Sequence, residues 1–185
     1  MMERMLKRQR IIEATQPGVD SEARWVRKGG ESVFGYKQHT VVDANGLVQQ
    51  AVETAVANCH DSKPLLSLLD KANIQPGVRV HVDKAYSSRK HRDALKTRGI
   101  KNGIQDKAAK NKPLLKRQLQ RNRLITRARY VVERTFGSQV RWFNAKILRY
   151  RGLAKAHAWH RLLAMAYNLK RLPRLFAESR VITQI

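Results

Sequence analysis

The sequence predicts an α/β domain built on a mixed sheet. Three observations carry this. Residues 33–56 read as a hairpin of β-forming residues around Asp43-Ala44-Asn45-Gly46. Val78-Arg79-Val80-His81-Val82-Asp83 alternates apolar and polar side chains, as a half-buried strand does. Helical patterns separate and follow these strands, giving the order hairpin, helix, strand, helix, short strand, helix.

Taken in order, residues 1–10 are basic and Met-rich and read as a frayed helix or an arm. Ile11-Ile12-Glu13-Ala14 is a short apolar run holding one acid, and Pro17-Gly18 breaks it. Residues 20–30 are charged, with Trp25 as the large apolar residue and Gly29-Gly30 as a closing turn. Residues 1–32 are therefore expected to be a basic arm or remnant. Strands follow at 33–42 and 47–56, joined by Asn45-Gly46, the strongest local hairpin signal. Asp61 or Ser62 is placed to cap the next helix, with Pro64 near its first turn and Leu65, Leu66, Leu68 and Leu69 as its buried stripe. Ile74-Gln75-Pro76-Gly77 turns the chain into the strand that ends at Asp83. Ser87 or Ser88 caps a helix to about Thr97, Gly99 stops it, and residues 100–104 offer one more short strand. Residues 110–136 read as a long helix with Pro113 near its start. Its apolar stripe is Ile125, Ala128, Val132 and Phe136. The last helix, 152–172, buries Trp159, Leu162, Leu163, Ala166 and Leu169, and Pro173 ends it. Residues 33–151 form the core, on which 152–185 packs as a C-terminal helix. A mixed sheet of this kind begins with a strand paired to the first hairpin. The Ile11-Ile12 run is the one stretch the chain offers for that place.

The 185 residues carry a formal charge of +24, which makes nucleic acid the first partner to consider and an anionic membrane surface the second. No apolar run approaches the ~20 residues of a spanning helix. One cysteine, Cys59, excludes an internal disulfide framework and fits a reducing compartment. Zinc-finger spacing, a P-loop and a Gly-rich dinucleotide turn are all missing from the sequence.

From residue 107 to 177 the chain is rich in Lys and Arg and holds one acid, Glu133. A lone carboxylate in a cationic helix suggests a metal ligand on a surface that holds a polyanion. The plainer reading is an Arg129–Glu133 pair at i,i+4, worth only about 0.3–0.5 kcal/mol. Asp83 at a strand end and Glu133 on a helix can share a divalent ion, although phosphodiester chemistry with two ions usually calls for a third carboxylate. His60-Asp61 could support such a site or simply cap a helix.

Phe34-Gly-Tyr-Lys-x-His39, Ala57-Asn-Cys-His-Asp61, Val82-Asp-Lys-Ala-Tyr86 and Val132-Glu-Arg-Thr-Phe-Gly137, followed by Arg141-Trp142, resemble the DDE transposases of bacterial insertion sequences, and among them the insertion sequence 5 type. Arg149-Tyr150-Arg151-Gly152 and Ala166-Tyr167-Asn168-Leu169 fit as well. The resemblance implies a ribonuclease H-like mixed sheet with flanking helices, an Asp, Asp, Glu triad and Mg²⁺ or Mn²⁺. It puts the second Asp on Asp83 and the Glu on Glu133. It also implies DNA as partner, both the element's terminal inverted repeats and its target, and a bacterial cytoplasm with the nucleoid as location. No membrane is expected. Arg129, Arg134, Arg141, Lys112 and Arg127 are the candidates to hold the DNA backbone.

The chain departs from the family in two places. The first Asp of the triad belongs to an opening strand upstream of Pro17-Gly18. The expectation is therefore a chain that lacks its first strand and is inactive alone, with an open edge at 33–42 through which it dimerises or aggregates. Glu13 imitates the local pattern of that first acid, ahead of Asp20 and Asp43. The family's Tyr-x2-Arg-x3-Glu-x6-Lys signature is matched at Arg129 and Glu133, whereas Thr126 and Val140 replace its Tyr and Lys. The leading reading is a DNA transposase or a truncated copy of one. Its rivals are a non-catalytic basic DNA-binding module derived from a transposase and an RNA-binding protein of ribosomal type.

Overall fold

The computed structural model describes residues 18–182. Strands β1 (Arg24–Lys28), β2 (Glu31–Val42) and β3 (Val48–Val56) form an antiparallel sheet in that order. Helix α1 (Leu65–Lys71) leads to β4 (Arg79–Val82), and α2 (Arg89–Thr97) leads to β5 (Lys101–Ile104), which pairs with β4 in parallel. Two long helices close the chain, α3 (Lys116–Phe143) and α4 (Leu153–Ile182). The mixed α/β class expected from the sequence is thus present, as one antiparallel and one parallel sheet.

The β2–β3 hairpin forms where Asn45-Gly46 predicted it. Gly46 sits at φ +87°, and Asp43 Oδ1 accepts from the backbone N–H groups of Asn45 and Leu47, both at 2.9 Å. β1 is an addition: residues read as part of an arm pair with β2, with Trp25 opposite Phe34. The expected cap of α1 is replaced. Pro64 takes the N-cap without a side-chain bond, because Ser62 Oγ is engaged with His60 Nδ1 at 2.7 Å and Asp61 with Lys37 at 2.8 Å. Ser88 caps α2, its hydroxyl accepting from His91 N–H at 3.1 Å.

Helix α3 starts later and ends later than expected. Asn111 is left-handed at φ 59°, and Pro113 disfavours helix for the residue before it. Gly137 does not stop the helix, since a glycine in a helix interior costs only about 1 kcal/mol against alanine. The stop is Asn144, left-handed at φ 51°. Residues 102–106 are stapled to the first turns of α3. Arg121 donates to the Asn102 and Ile104 carbonyls and to Asp106, and the Asn122 side chain brackets the Asp106 backbone. Helix α4 runs on through Pro173, which was expected to end it. A proline in a long helix removes one hydrogen bond and kinks it without obliging it to end.

Both long helices bury part of the predicted stripe together with polar residues outside it. On α3 the buried residues are Ile125, Thr135 and Gln139, Val132 and Phe136 are half-buried, and Ala128 is exposed. On α4, Leu162 and Leu169 point to solvent, while Ala156, His160, Leu163, Ala164 and Tyr167 are buried. The inner face of α4 mixes apolar and polar side chains, and the polar ones find partners on the sheet and on α3. Asn168 accepts from Val48 N–H at 2.9 Å and donates to Val48 C=O at 2.8 Å. His160 Nδ1 lies 2.7 Å from Thr54 Oγ1. Tyr167 OH and Thr135 Oγ1 lie 3.2 Å apart, and Thr135 also donates to Gly46 C=O.

Two hydrophobic cores result. One joins Leu65, Leu69, Leu95, Ile100 and Ile104 around β4 and β5; the other joins Val48, Val52, Ala164 and Tyr167 between β3 and α4. Between them lies a cleft of about 770 Å³, lined by residues 38–44 and 78–83 and by α1 and α3. Consecutive residues of both strands line it, so it runs along strand edges and not across a sheet face. Among the described residues, the 36–42 part of β2 pairs only with β3, and β4 pairs only with β5.

Candidate active site

Asp83 ends β4, whose Val80 and Val82 are packed against the first core. Its carboxylate caps the short turn Lys84–Tyr86 by accepting from Lys84 N–H. Glu133 and Arg129 stand one turn apart on α3. A single guanidinium nitrogen of Arg129 reaches both acids, Asp83 Oδ2 at 3.5 Å and Glu133 Oε1 at 3.9 Å. Two acids fifty residues apart in sequence are thereby brought to one place. Arg129 is only 20% exposed and turns toward these acids, away from the outer surface where it was expected to contact DNA.

Tyr86 lies beside this group. Burial pushes its phenol up to about 12, the charges of Asp61 and Asp83 add to the rise, and Arg129 opposes it. Burial also lowers the His39 imidazole, against the pull of Asp61. Along the cleft, Gln38 Nε2 and His39 Nε2 are buried and have no hydrogen-bond partner among the described residues.

The remaining acids considered from sequence divide. Asp43 lines the same cleft, but its Oδ1 is engaged in the hairpin turn. Asp20 is elsewhere: it accepts from Tyr36 OH and from Gly152 N–H, both at 2.8 Å, at the start of α4. Burial raises the Asp20 carboxyl, but these hydrogen bonds outweigh it and leave the group below its ordinary value. Glu13 lies outside the described residues. Thr126, in the place of the signature Tyr, accepts from Gln105 Nε2 at 2.8 Å, and Val140, in the place of its Lys, is exposed.

Arg127, Arg134 and Arg141 recur every seven residues, hence on one face of α3, and all three are exposed. Tyr130, 63% exposed, stands between the first two on that face. Lys112 is exposed just ahead of the helix. Sequence reasoning missed a second cationic group, where Arg134 meets Lys170, Arg171 and Arg174 of α4 around a recess of about 350 Å³. Lys170 Nζ sits 4.9 Å above the Trp142 ring. The signal was available as Lys170, Arg171 and Arg174 along one helix, with Trp142 ahead of them.

The donor set suits a hard cation. Asp83 and Glu133 offer carboxylate oxygens, and a guanidinium already holds the cationic position between them. One Mg²⁺ with its waters needs no more than one or two carboxylates. Among the described residues no group of three or more His, Cys, Asp or Glu side chains is placed to hold a metal ion. The donor set among the described residues is these two carboxylates, which suffice for one such ion.

The family defined as the transposase DDE domain matches residues 7–169. The chain belongs to the DDE transposases. The transposase for insertion sequence element IS1106 of Neisseria meningitidis serogroup B is 41% identical over 155 residues, covering 84% of this chain and 53% of that protein. The putative transposase for insertion sequence element IS402 of Burkholderia cepacia is 36% identical over 110 residues, covering 55% of this chain and 47% of that protein. This DDE transposase chain thus spans about half the length of the curated relatives it matches. No solved structure matches it. None of its described helices is long and apolar enough to cross a membrane.

Proposed function

We propose that the chain is the part of an insertion sequence 5 type transposase that grips DNA along α3 and presents Asp83 and Glu133 to a phosphodiester. The observation that carries this is the convergence of Asp83 and Glu133 on Arg129, Glu133 being the one acid in residues 107–177. Asp83 and Glu133 would hold one Mg²⁺ or Mn²⁺ ion, which when bound activates a water or a 3′-hydroxyl for attack on phosphorus. Arg129 offsets the mutual repulsion of the two carboxylates. Tyr86, its phenol raised to about 12, stays protonated at neutral pH beside Asp83. Arg127, Arg134 and Arg141 contact phosphates at one-face spacing, with Lys112 extending the path.

The architecture proposed is ribonuclease H-like over 33–151, with 152–185 packed on it as the C-terminal helix. The cleft between β2 and β4 is the place of that fold's first strand. Among the described residues, two facing unpaired edges and the Gln38 and His39 nitrogens without partners support this. The third acid of the triad belongs on that strand, and Glu13 is the candidate this chain offers. Terminal repeats, target DNA and a homodimer are the partners this function implies, with the bacterial nucleoid as the location.

A second reading, a non-catalytic DNA-binding module, is favoured by one observation: no third metal-ligating side chain joins the two acids among the described residues. Asp83→Ala separates the two. In the first reading it abolishes Mn²⁺ binding, followed by calorimetry, and leaves DNA binding intact. In the second neither the variant nor the wild type binds Mn²⁺. DNA binding itself is tested by anisotropy on a duplex of arbitrary sequence. Three phosphate contacts give a slope of log K against log salt of about −3. Charge reversal at Arg127, Arg134 and Arg141 should remove it, and a binding constant independent of salt refutes the DNA-gripping role of α3.

A further inference from the structure

A second cleft, of about 670 Å³, lies between the β1–β2 hairpin and the segment that leads into α4. One wall carries Trp25 and Phe34, cross-strand partners whose ring centroids are 5.1 Å apart. The other carries Tyr150, with Lys146, Arg149 and Arg151. Trp25 is 53% exposed, and Tyr150, tilted against Trp159 at 5.6 Å on one side, is 49% exposed. An indole buried only to stabilise a hairpin would hide more of its surface. Among the described residues, none of the three cations has a side-chain hydrogen bond or an ion pair. Two acids stand at this end, Asp20 and Glu22, and both are engaged, Asp20 with Tyr36 and Gly152 and Glu22 with Leu153 N–H at the start of α4.

Open aromatic faces flanked by unpaired cations match one ligand chemistry: bases stacked on rings with phosphates drawn to the cations. In a duplex the base faces are covered by their neighbours, and only unpaired nucleotides offer them. The geometry points to a single-stranded DNA site in this cleft, with Trp25 and Tyr150 as stacking platforms and Lys146, Arg149 and Arg151 as backbone contacts. The site is separate from the stripe on α3 and does not depend on the role proposed for it.

The test compares the full chain with oligo(dT), oligo(rU) and a duplex of equal length by fluorescence anisotropy at several salt concentrations. Stacking is sequence-tolerant and less sensitive to salt than phosphate contacts, so oligo(dT) binding should persist at salt that releases the duplex. Trp25→Leu keeps an apolar side chain in the hairpin and should weaken oligo(dT) about tenfold, the equivalent of ~1.4 kcal/mol for one lost base stack, with duplex affinity unchanged. Tyr150→Leu, outside the hairpin, should do the same if Trp25→Leu fails to fold. Equal losses toward both DNA forms, or no loss with either variant, overturn the proposal. Tighter binding of oligo(rU) than oligo(dT) overturns the assignment to DNA. Loss of duplex binding alone would count against the α3 stripe and leave this cleft standing.

Discussion

Asn168→Ala removes one side chain and leaves two backbone groups unmet. Asn168 accepts from Val48 N–H and donates to Val48 C=O, at 2.9 and 2.8 Å, and so acts on β3 as a piece of neighbouring strand would. Val48 is 5% exposed, so water does not readily replace the lost partner. A buried backbone donor or acceptor left unsatisfied costs about 1–3 kcal/mol, which for two groups with partial rehydration gives about 2–4 kcal/mol. For a chain of this size that lowers the melting temperature by about 5–15 °C. Urea unfolding followed by circular dichroism measures the loss directly. Asn168→Asp keeps the acceptor, loses the donor and sets a negative charge against the Val48 carbonyl, so it should also destabilise. A midpoint for Asn168→Ala within about 0.5 kcal/mol of wild type would show that the paired bonds do not hold α4 on the sheet.

Burial lowers the His160 imidazole to about 4, and His39 and His157 shift the same way. After burial, the charges of His157 on α4 and His39 on β2 lower His160 further. The unfolded chain takes up the proton near 6.5 and the folded one near 4, so stability is full above about 6.5 and falls with pH through that window, by roughly 3 kcal/mol from His160. Urea melts at pH 7 and pH 5 should show the loss, and His160→Gln should flatten it. A methyl added at Gly103 would run into the Val80 carbonyl oxygen, so Gly103→Ala should destabilise by several kcal/mol or abolish soluble folding. At Gly137 a methyl meets nothing within 4 Å, so Gly137→Ala should stabilise by about 0.5–1 kcal/mol. With two carboxylates at the site among the described residues, the chain alone should give no measurable nicking of its element's terminal repeats with Mg²⁺ or Mn²⁺. Loss of the second ion costs at least about a thousandfold at roughly tenfold per 1.36 kcal/mol. Metal-dependent nicking that Glu13→Ala abolishes would make Glu13 the third ligand.

Much of the fold was legible because local chemistry and tertiary role coincide. Asn45-Gly46, the alternation in 78–83 and Ser88 each act in the structure as their residue types suggest. β1 was illegible because Arg24, Arg27 and Lys28 hide its pattern, and its pairing with β2 is not local. The α4 stripe was misread because its inner face includes His160 and Asn168, which bond to the sheet instead of avoiding water by being apolar. At the site, the order of motifs pointed to Asp83 and Glu133 and the i,i+4 spacing put Arg129 beside Glu133, but no spacing rule could show that Arg129 also reaches Asp83. The contact of Arg129 with Asp83 was invisible because Asp83 lies fifty residues from Glu133 and their meeting is tertiary.

Two cores that meet through helices and a cleft, without a continuous ladder, bear on how the chain opens. Hydrogen bonds transmit cooperativity across a sheet strand by strand, and here none of the described strands carries it from β2 to β4. Helix α1 and helix α3 are the remaining couplings, through Leu65 and Leu69 on one side and Thr135 on the other. The β4–α2–β5 unit and the β1–β3 sheet with α4 are then separate cooperative units, each with its own opening free energy. Amide exchange should resolve them as two protection classes, with the backbone of Asp83 in one and that of Gly46 in the other. Whatever fills the cleft would fuse the two classes into one.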